Sequence, residues 1–297
     1  MVGRNFQEHA DALEHEVLAP SSAELDLRNS IAVEKWMAEN RPDIVVHAAG
    51  KVGGIQANIK EPVAFFLDNL DMGRNVVAAA RKAGVPKLLN LSSSCMYPRH
   101  AVSPLTEDLV LHGELEPTNE GYALAKIAVA RLCEYINREA SDFSYKTLIP
   151  CNIYGKYDKF DPAHSHMVPA IIHKLHLAKI ANETAVDIWG DGTARREFMY
   201  AGDLADCMWH AVQEFSTMPQ TINVGVGSDM SVNDYYGDAA SVVGFAGSFV
   251  HDLTKPVGMK QKLVDITKAT EWGWQAKTSL RSGLAMTYDY YLEHKHG

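Results

Sequence analysis

Asp43-Ile44-Val45-Val46-His47-Ala48-Ala49, a helical run over 62–83 and then Lys87-Leu88-Leu89-Asn90-Leu91 give one strand–helix–strand unit. The two apolar runs are short and uninterrupted, as strands buried on both faces are. Pro62 suits the first turn of the intervening helix, and Gly84 stands where a C′ residue needs positive φ. The rhythm continues on both sides. Glu16-Val17-Leu18-Ala19 and residues 145–150 read as further strands, and 31–39 and 122–139 as helices. Strands alternating with helices predict an α/β fold, a Rossmann-like doubly wound parallel sheet.

Beyond about Gly155 the rhythm becomes irregular. A helix is expected over 164–177, then the strand Val186-Asp187-Ile188-Trp189 before the turn Gly190-Asp191-Gly192. Asp203 is a candidate cap for a helix running to about Phe215, Ile222-Asn223-Val224 reads as a strand, and Ser231 and Ser279 suit two further N-caps. We expect a cofactor domain of residues 1–158 plus about 190–228. A smaller C-terminal α/β substrate lobe would take about 159–189 plus 229–297.

The formal net charge of -9 argues against a nucleic-acid partner, which needs a basic face. No apolar run approaches the ~20 residues of a membrane helix, and the N-terminus has no signal-peptide core. Cys95, Cys133, Cys151 and Cys207 form no CxxC pair, so no metal site is expected and a reducing, cytoplasmic setting fits.

A Rossmann domain opens with a strand and a glycine-rich turn that brings pyrophosphate to a helix N-terminus. Here Met1-Val2-Gly3 leads directly into a helix-like stretch over 5–13, so Gly3 would be the last glycine of that turn. About a dozen residues would restore the strand and turn. We expect a late start or trimming, with a natural chain that lacks the strand as the alternative. Ala19-Pro20-Ser21-Ser22 offers no acid for a ribose 2′-hydroxyl, which points to NADP rather than NAD, with Arg4 within reach of a 2′-phosphate.

Tyr122 and Lys126 stand four residues apart on one helix face. The ammonium should favour the phenolate and bring the tyrosine into the range of useful proton transfer. Ser92-Ser93-Ser94 ends a strand at the carboxyl edge, where open α/β sheets bind ligands, so Ser93 and Tyr122 can converge on one carbonyl oxygen. By itself Y-x-x-x-K is also an ordinary amphipathic pattern with a lysine reaching for water.

Several strings narrow the choice. Ser92-Ser93-Ser94-Cys95-Met96-Tyr97-Pro98, Ala49-Gly50-Lys51-Val52-Gly53-Gly54-Ile55 and Glu116-Pro117-Thr118-Asn119-Glu120-Gly121-Tyr122 resemble the GDP-L-fucose synthases, extended short-chain dehydrogenase/reductases of nucleotide sugars. So do Ile149-Pro150-Cys151-Asn152-Ile153-Tyr154-Gly155, Ser165-His166 and Trp189-Gly190-Asp191-Gly192-Thr193 with Arg196-Glu197-Phe198. The resemblance implies epimerisation of GDP-4-keto-6-deoxy-D-mannose at C3 and C5, then reduction of C4 by NADPH. It assigns Ser93, Cys95, Tyr122, Lys126 and His166 to catalysis, with Cys95 and His166 as the epimerising acid–base pair. Their ordinary pKa values, roughly 8.5 and 6.5, bracket neutrality. Of 13 histidines, most are expected to be surface or satisfied groups, His164 among them.

Cofactor contacts are expected from Gly3, Arg4, Ala48, Ala49, Gly50, Lys51, Tyr122, Lys126, Asn152 and His166. Substrate contacts are expected from Ser94, Lys174, Trp189, Arg196 and Lys262, although Lys255-Pro256-Val257-Gly258 lacks the acid expected before its glycine. The resemblance also implies a homodimer through the helices over 62–83 and 122–139. Rival readings are a GDP-colitose synthase, another sugar epimerase/reductase, a chain that only epimerises, and a binding subunit without catalysis.

Overall fold

The computed structural model describes residues 1–161, 165–255 and 259–294. Its helices are α1 (Val2–Gln7), α2 (Ser30–Asn40), α3 (Ile55–Lys60), α4 (Pro62–Lys82), α5 (Glu120–Glu139), α6 (Met167–Ile180), α7 (Ala201–Gln213), α8 (Val232–Val243), α9 (Thr267–Trp272) and α10 (Leu280–His294). The strands are β1 (Ile44–His47), β2 (Lys87–Leu91), β3 (Ser144–Pro150), β4 (Asn152–Tyr154), β5 (Ala185–Trp189), β6 (Arg195–Arg196), β7 (Phe198–Tyr200), β8 (Thr221–Val224), β9 (Met230–Ser231), β10 (Ser248–Asp252) and β11 (Gln261–Lys262).

The main sheet runs β1-β2-β3-β8, all parallel. Side chains alternate, and β2, β3 and β8 bury both faces, whereas β1 at the edge is mostly half-buried. Leu88 joins α2, α4 and α5 through Val33, Val76 and Ile136, whereas Leu89 and Leu148 face α7 through Leu204 and Met208. Leu88, Leu89 and Leu148 are fully buried, worth roughly 2 kcal/mol each. A second core joins α6, α8 and α10 to β5 through Ile171, Ile188, Tyr235, Leu284 and Tyr288. Smaller sheets pair β5 with β10, β4 with β7, and β6 with both β11 and β9.

The local signals act as expected at several ends. Pro62 opens α4, Gly84 follows it at φ 74°, and Ser231 caps α8 in a reciprocal box with Asp234. Ser279 accepts from the Ser282 amide at the start of α10.

Other expectations are corrected. Residues 16–19 form no strand: an extended segment gains its ladder only from a neighbour, and the free edge of β1 carries none among the described residues. The helix expected over 5–13 stops at Gln7 and resumes as a 3-10 turn over Ala10–Glu14, where the His9 side chain accepts from the Asp11 amide. Asp203 is not a cap; it lies inside α7 and accepts from the backbone and hydroxyl of Thr278. The helix after His166 starts at Met167; His164 and residues 256–258 lie outside the described residues.

Candidate active site

Beyond Leu91, β2 runs into Ser92 and Ser93 and turns through a short 3-10 segment, Ser94–Met96. The Ser93 hydroxyl oxygen accepts from the Cys95 amide at 3.3 Å, which fixes the turn that carries the thiol. α5 starts beside it and brings Tyr122 and Lys126 to the same sheet edge. Lys126 is buried and donates to the Leu91 carbonyl at 2.9 Å, tying the helix to the end of β2.

Electrostatics here differ from the simple sequence expectation. Burial pushes the Tyr122 phenol up; the nearby Cys95 adds to that, and hydrogen bonding with Ser93 opposes it. Lys126 does not dominate because its nitrogen is 5.8 Å from the Tyr122 ring centre and is bonded to Leu91. Burial also pushes the Lys126 ammonium down to about 8. His47, at the end of β1, is held neutral: burial and then the Lys126 charge depress it to about 3.

His166 stands at the N-cap position of α6, on the segment opposite, and its side chain makes no capping bond. Burial lowers its pKa, and the charge of Lys159 lowers it further. Gly54 lets the loop after β1 approach this segment, since a Cβ there would meet the Ser165 carbonyl oxygen at 2.8 Å. That close approach accounts for one glycine of the Lys51-Val52-Gly53-Gly54 string. Lys51 itself pairs with Glu61 at 2.8 Å and Asp68 at 3.6 Å, while Asn69 bonds its backbone on both sides.

A cavity of about 1690 Å³ joins these groups. Ser93, Cys95, Tyr122, Lys126 and His166 line it, as do Gly3, Arg4, Ala48, Ala49, Gly50, Lys51, Asn152, Arg196 and Lys262. It continues along the free edge of β1 to Val17 and Leu18. Asn152 is held by the Glu197 carbonyl at 2.9 Å, and the Arg4 guanidinium lies 5.1 Å over the Tyr157 ring. Arg196 and Lys262 are register partners on β6 and β11, two cations side by side.

Three expected residues are not among those lining the cavity. Ser94 is buried within its turn. Lys174 pairs with Asp187 at 2.7 Å. Trp189 is about half exposed at the end of β5, with the Lys255 ammonium 5.6 Å over its ring. Lys174 and Trp189 thus mark a second patch, on α6 and at the end of β5.

Asn119 was missed. It donates to Cys95 Sγ at 3.2 Å. Its place just before α5 reads as an ordinary helix cap, and nothing local in the sequence links it to the thiol.

The residues present suit a nicotinamide ribose. Lys126 spends one of its three donors on Leu91, and Gly50 leaves room beside the ammonium, since a Cβ there would stand 3.6 Å from the nitrogen.

Comparison with known proteins agrees with this geometry. A family profile described as the NAD dependent epimerase/dehydratase family matches residues 1–225. The chain is 52% identical to a GDP-L-colitose synthase of Yersinia pseudotuberculosis, over 99% of this chain and 96% of that one. It is 51% identical to a GDP-L-fucose synthase of Azorhizobium caulinodans, over 98% and 93%. A GDP-mannoheptose C4 reductase from Campylobacter jejuni, solved with NADP bound, superposes with a TM-score of 0.89 at 30% identity, covering 98% and 95%. A sheet edge carrying serine, tyrosine and lysine, matched over three quarters of its length, makes this chain a member of the NAD dependent epimerase/dehydratase family.

Proposed function

We propose that the chain converts GDP-4-keto-6-deoxy-D-mannose to GDP-L-fucose, epimerising C3 and C5 and then reducing C4 with NADPH. The observation that carries this is the meeting of Cys95 and His166 with Ser93, Tyr122 and Lys126 on one cavity. Reduction alone needs the last three; a thiol and an imidazole are surplus unless protons move on carbon.

Protons at C3 and C5 are acidic because the C4 ketone accepts the resulting charge as an enolate. Ser93 and Tyr122 donate to that oxygen as charge develops. Cys95 and His166 act as base and acid on opposite faces of the ring, which inversion requires. Bound NADPH supplies the hydride for C4. Tyr122 then delivers its proton to the C4 oxygen, and Lys126 holds the ribose and supports the phenol. Arg196 and Lys262 take the diphosphate, and Trp189 and Lys174 the guanine end. The NADP-bound relative and the lining of Gly3, Arg4 and residues 48–51 support the choice of cofactor.

We further place a second copy of the chain against α4 and α5, where Val63, Leu67 and Leu124 are exposed, and place the enzyme in the cytoplasm. No described helix is long and apolar enough to cross a membrane.

The test is incubation with the keto sugar nucleotide in D2O, with and without NADPH, followed by NMR. Deuterium at C3 and C5 and NADPH-dependent GDP-L-fucose are expected. Absence of exchange in the presence of bound substrate would overturn the assignment. The 52% identity to a GDP-L-colitose synthase favours a 3,6-dideoxy substrate as the second reading. Direct competition between the two keto sugars separates them.

A further inference from the structure

Asn119 occupies the N-cap position of α5, yet its side chain makes no capping bond. Asparagine is favoured there because its carbonyl oxygen accepts from an amide of the first turn. Instead Nδ2 points to Cys95 Sγ at 3.2 Å. Its Oδ1 is buried and has no hydrogen-bond partner among the described residues. The side chain therefore forgoes the bond its position offers and leaves its own carbonyl unpaired. Both losses follow from aiming the amide at one sulfur, and Cys95 is the only one of the four cysteines that is not buried.

We propose that Asn119 is a positioning residue that holds Cys95 and stabilises it as the thiolate. This deepens the reading of Cys95 as the proton-transfer group and rests on it. An N–H donated to sulfur favours the charged form, and the thiolate is the species that takes a proton from carbon. Lys262, 3.7 Å from the same sulfur, adds charge from the smaller lobe. The ammonium is a mobile point charge, whereas the amide is fixed by the start of α5 and sets the direction of the sulfur.

The test is alkylation of the full chain by iodoacetamide across a range of pH, followed by peptide mapping. The other cysteines do not interfere: burial pushes the Cys133 thiol up to about 12, and Cys151 and Cys207 well above their usual range. Serine and aspartate are both favoured at N-caps, and Asn119 makes no capping bond to lose, so a merely structural asparagine would tolerate either change. The serine hydroxyl sits one bond nearer the backbone than the amide nitrogen and falls short of the sulfur, so Cys95 should alkylate about tenfold more slowly at pH 7 in Asn119→Ser, with its profile moved to higher pH. Asn119→Asp should be slower still, because a carboxylate then faces the sulfur. Deuterium exchange into the sugar should fall in the same order, with a smaller effect on hydride transfer. Wild-type alkylation profiles in both variants would overturn the proposal. Alkylation needs no sugar, so a wild-type chain that fails to exchange would defeat the functional reading and leave the Asn119 result standing.

Discussion

Lys262 Nζ stands 3.7 Å from Cys95 Sγ, so the edge strand β11 of a small sheet closes onto the end of β2 in the main one. Its register neighbour is Arg196 on β6, which also lines the cavity. This small sheet therefore brings one cation to the thiol and a second to the same cavity, where they can serve both an anionic substrate and a thiolate. The sequence offers Lys262 as a substrate contact; its approach to the thiol follows only from the fold.

Lys262→Met should slow deuterium exchange, by less than the roughly 10²–10⁴-fold that the proton-transferring group itself contributes. Lys262→Arg, which keeps the charge, should recover much of it. Exchange rates at saturating sugar nucleotide check this. A variant with normal saturated exchange and only a raised KM would confine the lysine to binding.

Lys126 carries a stability cost for its function. Its pKa falls from 10.5 to about 8 because the ammonium is buried, and each unit is about 1.4 kcal/mol. The penalty is fully present below pH 8. Between about 8 and 10.5 the unfolded chain binds more protons than the folded one, so the penalty is relieved and stability rises with pH. Lys126→Met should lose the reduction and be more stable at pH 7 by about 2 kcal/mol, after the lost bond to Leu91 is deducted. Urea unfolding of both proteins from pH 7 to 10 should show that gap closing as pH rises.

Patterns that depend on near neighbours were legible in the sequence. The strand–helix rhythm gave β1, α4 and β2, and the four-residue spacing placed Tyr122 and Lys126 on one face. Features decided by distant partners were not. Residues 16–19 have a strand's composition, but a strand is a property of a pair. Asp203 looked like a cap and was claimed by Thr278 from far along the chain. Asn119 stands at an N-cap position and donates to Cys95 instead of capping its own helix. The sequence offers Trp189 and Lys174 as ligand contacts but not their distance from the chemistry: neither lines the cavity that holds the reactive groups.

His166, the acid opposite Cys95, should set an alkaline limb of the exchange reaction. Burial, then the Lys159 charge, lowers its pKa below the ordinary 6.5, so the imidazolium is lost at lower pH than in a free histidine. Exchange should therefore begin to fall already below 6.5 as pH rises. Lys159→Gln removes one of the two causes and should move the limb upward, towards 6.5. The pH profile of deuterium incorporation, in protein and variant, reads both. A limb at or above 6.5 in the wild type would show that another group controls it.

Gly73 decides how closely α4 can approach the helix that carries Tyr122 and Lys126. A Cβ there would run into the side chain of Val129 on α5. In an exposed helix, alanine in place of glycine gains about 1 kcal/mol. In a packed interface the added methyl forces side chains off their rotamers or moves the backbone, at about 1–3 kcal/mol. Gly73 is buried in the middle of α4, so the packing cost should prevail. Gly73→Ala should destabilise the protein by up to about 2 kcal/mol, and Gly73→Ala with Val129→Ala should recover part of that loss. Because α5 carries both reactive groups, the single variant should also reduce turnover more than binding. Thermal unfolding and steady-state kinetics on the two variants test the packing and its reach into the site.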